Sequence, residues 1–488
     1  MSARGPRPDH RVTFAALTVG VFAYSMLQNL VTPALHTVQT ELHTTQSTVT
    51  WVVTAYLLSA AIMTPIMGRL GDIAGKKRVF VAAMALLTAG SLLAAVATSM
   101  TVMVIARVIQ GVSGGVLPLS FGIIRDELPR DRVTGAVGVI ASLSAVGAGV
   151  GTVLSGPIVS ALGYHWLFWI PMIITAAGAI AAVLLVPESP VRSGERISWL
   201  PALLLSATLV ALLVPLSEAN AWGWGSAKVV GLLIAAVVLA CGWVAAELRA
   251  RTPLIDMNMM RLRAVWTNSL VALLIGFGLY ATLAFLPQFV ETPADAGYGF
   301  GASITQAGLM LLPLTAATFL VALCAGRLAQ RLGAKSLVVA GSVIGVGATA
   351  MLAFAHSSQW EIYVATAIMG VGFGLTFSSM SGLIVAAVPP EQTGVASGMN
   401  ANIRVIGGSI GAALMASIVT SHTGAGGLPT EAGYSTGFAI LGVGLVLAAA
   451  AGLLIPTLKT VPPTSEHDAP HPQLGAVAAG TLVGDDSE

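Results

Sequence analysis

The chain is 488 residues long, 56% hydrophobic and 9% charged, with a formal net charge of +2 and a mean hydropathy of +0.86. That apolar content exceeds what one water-soluble core needs, which excludes a soluble globular protein and makes the lipid bilayer the expected partner. The net charge says little about other partners, because in such a chain the placement of charge matters more than its sum; no nucleic acid is expected.

Apolar runs of about 20 residues, enough to cross a bilayer, fall at 11–36, 49–68, 79–98, 101–124, 134–160, 164–187, 197–217, 228–248, 264–290, 303–328, 336–356, 360–387, 394–420 and 434–456. They predict an all-α membrane protein of fourteen transmembrane helices. Arg4, Arg7 and Arg11 precede the first run, which continues for a full span without a small-residue cleavage pattern, so helix 1 is expected to stay in the protein.

Helix 2 is followed by GRLGDIAGKKR, Gly68 to Arg78, which packs five charges into eleven residues. The lysines and arginines serve as an orientation anchor, but Asp72 and the glycines need another reason. A glycine-rich turn lets two helices approach closely. Asp72 at its centre can sit against the positive end of a neighbouring helix while the basic residues hold facing carbonyls or acids. The loop is therefore expected to act as a latch.

Helix 4 carries RVIQG, with Arg107 about seven residues from its outer end and Gln110 on the same face. An arginine at bilayer depth costs on the order of 2.5–3.5 kcal/mol, so Arg107 should face a cavity or a partner. Helix 5 contains Gly147, Gly151 and Gly156, which permit bending and tight packing. On helix 13, Arg404 has Asn400 four residues before it and Asn402 close by, a polar lining for the second half.

Two short segments recur. GRLGDIAGKK at Gly68 is echoed by GRLAQRLGAK at Gly326, and LPRDRVTGAVG (128–138) by VPPEQTGVASG (388–398). The offsets of 258 and 260 residues divide the chain into an N-terminal tail (1–10), a six-helix bundle (11–190), an inserted pair, helices 7 and 8 (191–260), a second six-helix bundle (261–458) and a tail expected to be disordered (459–488). Two pseudo-symmetric bundles around a central cavity are a common build for secondary transporters. With both termini in the cytoplasm, 20 of the 23 Lys and Arg residues fall on the inner side, in accord with the positive-inside rule.

Other chemistry is absent from the pattern. No G-x-x-x-x-G-K-[ST] phosphate loop occurs and the eight histidines show no metal-ligand spacing within the helices, so no ATPase, enzyme, metal or cofactor is expected. Cys241 and Cys324 lie inside apolar runs and read as small core residues.

The chain resembles a major facilitator superfamily transporter of the fourteen-helix drug:proton antiporter group, from helix 1 to about residue 456. GRLGDIAGKKR is similar to the superfamily's signature loop G-x-L-a-D-r-x-G-r-k, with Ile73 where an Arg is usual, and RVIQG to its helix 4 motif R-x-x-q-G. WVVTAYLLSAAIMTPIMG (51–68) and LPQFVETPADAGYGFGASITQAGLMLLP (286–313) resemble the group's helix 2 and its helix 9 to 10 segment. The resemblance implies an exporter of small drug-like amphipaths working by alternating access in the cell membrane, coupled to proton influx. The latch would close the cytoplasmic side in the outward-facing state. Arg107 would take part in substrate and proton handling, or else tie helix 4 to neighbouring carbonyls.

Two departures matter. Where the group's helix 1 usually carries a proton-linked Asp, this chain has Leu27 in MLQNLVTPALH, and in the helix 5 motif Thr152 replaces a Pro and Ser155 a Gly. All 21 acids map to tails, loops or helix ends, with Glu218, Glu247 and Glu291 nearest to membrane depth and none central. His36 and His165 lie at outer helix ends, so no proton carrier is assigned. Helices 1, 4, 5, 9 and 13 are expected to line the cavity, with Gln28, Asn29, Arg107, Gln110, Asn402 and Arg404 contacting substrate. Gly68, Asp72, Gly75, Lys77, Gly147 and Gly151 are the expected gating residues. Since both charges at membrane depth are arginines, the cavity should prefer neutral or anionic amphipaths. The alternatives are a facilitator or exchanger that moves no proton, and a membrane sensor that kept the fold without turnover.

Overall fold

The computed structural model describes residues 10–188, 198–422 and 429–456. The tail up to residue 9, the stretch with Arg192 and Arg196, and the tail expected to be disordered from residue 459 lie outside them. Among the described residues all extended regular elements are helical. Fourteen of them are long and apolar enough to cross a membrane: α1 His10–Ala34, α2 Trp51–Ala74, α3 Lys76–Ala95, α4 Met100–Glu127, α5 Arg130–Leu162, α6 Trp166–Leu185, α7 Trp199–Trp222, α8 Ala227–Arg249, α9 Arg263–Glu291, α10 Ile304–Leu332, α11 Ala334–Phe354, α12 Gln359–Ala387, α13 Pro390–Ser421 and α14 Glu431–Leu453. The protein is an all-α membrane protein.

Several helices outrun their apolar windows. The segment GRLGDIA is not a loop but the last two turns of α2, because nothing in it interrupts the i→i−4 ladder before Gly75. Gly75 ends the helix with φ 109°, a backbone conformation that favours glycine, and α3 starts at the next residue. Asp72 is thus presented from a rigid helix and is 1% exposed. In α4 a 3₁₀ stretch at Val112–Gly115 separates two α-helical halves and resets the phase between Arg107 and the residues that follow.

Helix pairing repeats with an offset of eight. In the N-terminal bundle α1 packs on α5, α2 on α4 and α3 on α6; in the C-terminal bundle α9 packs on α13, α10 on α12 and α11 on α14. One apolar core lies around Leu17, Tyr56, Phe80 and Phe168 and takes in Ile384, Val388 and Val395 from across the seam; a second lies around Phe289, Phe373 and Phe438 in the C-terminal bundle. The inserted α7 and α8 pack on each other, and α7 also touches α2 and α13. The outer face of α8 is a sheath of exposed Ile234, Val237 and Val238, as expected where lipid is the neighbour. Cys241 and Cys324 are both exposed on helix surfaces, which corrects their reading as core residues: an apolar run in a membrane helix has a lipid face as well as a packed one.

Two seams join the bundles, α2 against α13 and α5 against α10 and α12. The recurring sequence segments meet there in pairs. A Cβ on Gly68 would lie 2.6 Å from the Gly394 carbonyl oxygen, and one on Gly326 would lie 2.9 Å from Gly135 Cα. Each echo supplies the small residue that lets one half touch the other.

Candidate functional site

At the end of the molecule that carries Gly68 and Gly75, the α2–α13 seam is closed by a continuous set of contacts. Asp72 Oδ2 accepts from the Val395 backbone N–H at 3.4 Å, in the first turn of the helix Thr393–Ser421, where free N–H groups and the helix dipole favour an anion. Lys76 is fully buried, pairs with Asp126 at 2.8 Å and reaches the Pro390 carbonyl at 3.4 Å. Arg125 Nη1 donates to Thr393 Oγ1 at 2.6 Å. Further along the seam, Asn402 Nδ2 donates to the Ala61 carbonyl at 2.6 Å.

Beyond Ala61 the seam parts. A cavity of about 570 Å³ opens between the bundles, floored by Leu117, Phe121, Ile384 and Ser397 and extending to Thr32, Glu291 and Ile304 at the opposite helix ends. Its walls come from α1, α2, α4, α5, α9, α10, α12 and α13, so α2, α10 and α12 join the five helices expected from sequence. Most of the lining is apolar or weakly polar, with Gln28, Asn29, Tyr280, Gln288, Asn400 and Arg404 as the larger polar groups. The Arg404 guanidinium lies over the Phe377 ring at 5.0 Å and, among the described residues, has no carboxylate partner.

Of the residues singled out from sequence, Gln28, Asn29 and Arg404 line this cavity, and Asn29 also donates to the Ser25 carbonyl at 3.1 Å. Asn402 does not: it is two residues from Arg404, which puts it about 200° around the helix. Its face is the α2 seam, whereas Asn400, four residues from Arg404, shares the cavity face. Arg107 and Gln110 also lie away from the cavity. Arg107 is fully buried, donates through Nε to the Val52 carbonyl at 2.7 Å and through Nη1 to Gln110 Oε1 at 2.8 Å, and stacks over Tyr56 at 4.3 Å. Gln110 continues to Ser91 Oγ at 3.1 Å, so the chain of contacts ties α4 to α2 and α3.

Among the residues named for gating, Gly68, Asp72 and Gly75 belong to the closed end. Lys77 turns away from the seam to the Val183 carbonyl of α6 at 2.9 Å, and its neighbour Lys76 occupies the seam instead. Gly147 and Gly151 face α1 within the N-terminal bundle; a Cβ on Gly147 would meet the Phe22 carbonyl at 2.8 Å. Other glycines of α5 make its cross-bundle contacts: Gly135 against Gly326, Gly138 against Ser378, Gly149 against Thr315 and Gly156 against Thr305.

Glu291 is the cavity residue that sequence reasoning set aside. It is the last residue of α9, and among the described residues it is the one carboxylate in the lining. The signal was present as a helical stripe: Tyr280, Ala284, Gln288 and Glu291 recur every three or four residues on one face. Arg404 leaves α13 where its backbone packs on Gly276, fifteen residues from Glu291 or ~22 Å along the helix, so base and acid occupy separate levels.

A family model of the Major Facilitator Superfamily matches residues 17–292 and 268–483. The chain belongs to this superfamily. It is 29% identical over 405 residues to the multidrug resistance protein B homolog of Mycobacterium tuberculosis, covering 80% of this chain and 73% of the relative. It is 26% identical over 431 residues to the tetracenomycin C resistance and export protein of Streptomyces glaucescens, covering 86% and 78%. The crystal structure of the human organic anion transporter MFSD10 (TETRAN) superposes with a TM-score of 0.66 at 15% identity over 91% of this chain and 100% of that one, a likeness of fold. Superfamily membership makes the protein a transporter, and the cavity between its two bundles is the candidate substrate site.

Proposed function

We propose that the protein is a secondary exporter of small amphipathic compounds, neutral or anionic, that works by alternating access in the cell membrane with both termini in the cytoplasm. The observation that carries this reading is a cavity between the halves, shut at the end bearing Asp72 and reaching the opposite helix ends, with an arginine in its lining that has no acidic partner among the described residues. In this reading the conformation is outward-facing. Arg404 holds a carboxylate or phenolate by two hydrogen bonds, while the Phe377 face and the aliphatic lining take the apolar body. Relatives named for drug resistance and export support the direction of transport.

Opening to the cytoplasm requires breaking the Asp72, Arg125 and Lys76 contacts across the seam, and closing the outer end buries Glu291. An ionised carboxylate is costly to bury without a partner, so closure favours the protonated acid. Proton uptake at Glu291 from outside would then precede the return step, and release of that proton into the inward-open cavity would complete the coupling to proton influx. Arg107 and Gln110 hold the N-terminal bundle together rather than contact substrate. The test is counterflow in proteoliposomes with a panel of neutral, anionic and permanently cationic amphipaths. Exchange of the first two classes is expected; robust exchange of cations alone overturns the substrate assignment.

A further inference from the structure

Among the described residues the inserted helices contribute none to the cavity lining, yet the segment that follows them is tied to the closed seam. At the end of α8 the Glu247 carboxylate, 3% exposed, accepts three hydrogen bonds: from Trp243 Nε1 at 3.0 Å, from the Leu254 N–H at 2.9 Å and from the Ile255 N–H at 3.2 Å. These bonds fold the chain back on itself. Leu254, Ile255 and Met259 are thereby driven into the same apolar cluster as Val388, Val395 and Ala396 from the C-terminal side of the seam.

The next residue, Asp256, begins the short helix Met257–Arg261 by accepting from the Asn258 N–H at 2.8 Å. Its other oxygen faces Gln392 Nε2 at 3.5 Å. A gap of about 120 Å³ is lined jointly by Pro253, Leu254 and Asp256 of this segment, by Arg69 near the end of α2 and by Gln392 and Val395 at the start of α13. Arg69 is also within electrostatic range of Glu247. One segment thus contacts α13 and borders α2, the two helices that must separate for the seam to open.

We propose that residues 250–262 are a strap across the closed seam, and that Glu247 is a positioning residue for transport. By fixing the strap, it stabilises the state in which the cavity reaches the outer helix ends. The proposal rests on the alternating-access reading above and assigns the inserted pair a place in the cycle. A buried carboxylate that accepts two adjacent backbone N–H groups sets the path of the strap, and an amide at the same position offers one oxygen to three donors. Opening toward the cytoplasm must peel the strap from α13, breaking the Asp256–Gln392 contact.

The test uses the full-length chain with Cys241 and Cys324 replaced by Ser and a single reporter, Ala284→Cys, at an exposed position in the cavity wall. Labelling by a membrane-impermeant maleimide from outside reads the population with the cavity open outward. Glu247→Gln should slow labelling by at least about fivefold at unchanged expression and membrane insertion, and Glu247→Asp should restore part of it. A second variant, Asp256→Cys with Gln392→Cys and no reporter, joined through two disulfides by a short bis-methanethiosulfonate, should stop transport until reductant cleaves them. Unchanged labelling in Glu247→Gln, or full transport in the cross-linked pair, overturns the strap. Counterflow by the parent chain tests the export reading separately, since labelling rates do not depend on a substrate.

Discussion

The contact between Gly68 and Gly394 is a backbone contact, and that makes its response to a single methyl group calculable. In Gly68→Ala the new Cβ would sit 2.6 Å from the Gly394 carbonyl oxygen and 2.8 Å from its carbon, against helix backbone that cannot rotate aside. Overpacking of this kind costs about 1–3 kcal/mol. The gain in helix propensity, about 1 kcal/mol for Gly to Ala, applies whether the seam is closed or open and cancels from the equilibrium between them. The closed seam should therefore lose roughly a factor of 5 to 150 in population relative to the open one. The assay is outside labelling of Ala284→Cys by an impermeant maleimide, with expression level as the control for folding. A labelling rate equal to that of the parent, at equal expression, would mean that the seam does not open during the cycle.

Arg404→Gln should weaken export of acidic amphipaths at least about tenfold, as loss of a bidentate charge-assisted pair predicts, while export of neutral ones changes little; equal losses for both classes would mean that Arg404 is structural. Glu291→Gln should leave counterflow intact but abolish its stimulation by an outside-acid pH gradient, and continued stimulation would remove Glu291 as the proton site. Asp72→Asn removes a charge at the start of α13 worth about 0.3–1 kcal/mol and should lower outside labelling of the cavity by a factor of about two to five; unchanged labelling excludes a role for its charge. Arg107→Met leaves the Val52 carbonyl and Gln110 without their donor in a fully buried site, so it should lower thermal stability and yield with KM for export unchanged; a selective rise in KM would return Arg107 to the substrate site.

The number and order of the helices were legible because each span is a run of apolar residues long enough for the bilayer, and the repeat was legible because its echoes are the glycine-bearing segments that join the two halves. What was not legible came from helical phase and tertiary pairing. Asn402 and Arg404 look like one polar cluster in sequence, yet two residues on a helix point to opposite sides, and the seam takes one while the cavity takes the other. A cavity or a partner would each satisfy Arg107 from its sequence; the structure gives it partners, and the 3₁₀ stretch after it turns the cavity face of α4 to Leu117 and Phe121. Lys76 and Lys77 are indistinguishable by composition; the turn at Gly75 decides which of them enters the seam. Glu291 was passed over because a helix end was equated with the membrane surface, whereas a cavity open at that end draws the last turn of α9 into its wall.

The most direct test of the account is accumulation of a fluorescent carboxylate amphipath in inside-out vesicles that contain the protein, driven by an imposed proton gradient, acid inside. Uptake against the substrate's own gradient, abolished by a protonophore and reduced by Arg404→Gln, is the predicted result. Accumulation of a permanently cationic dye such as ethidium, undiminished by competing acids, would contradict it.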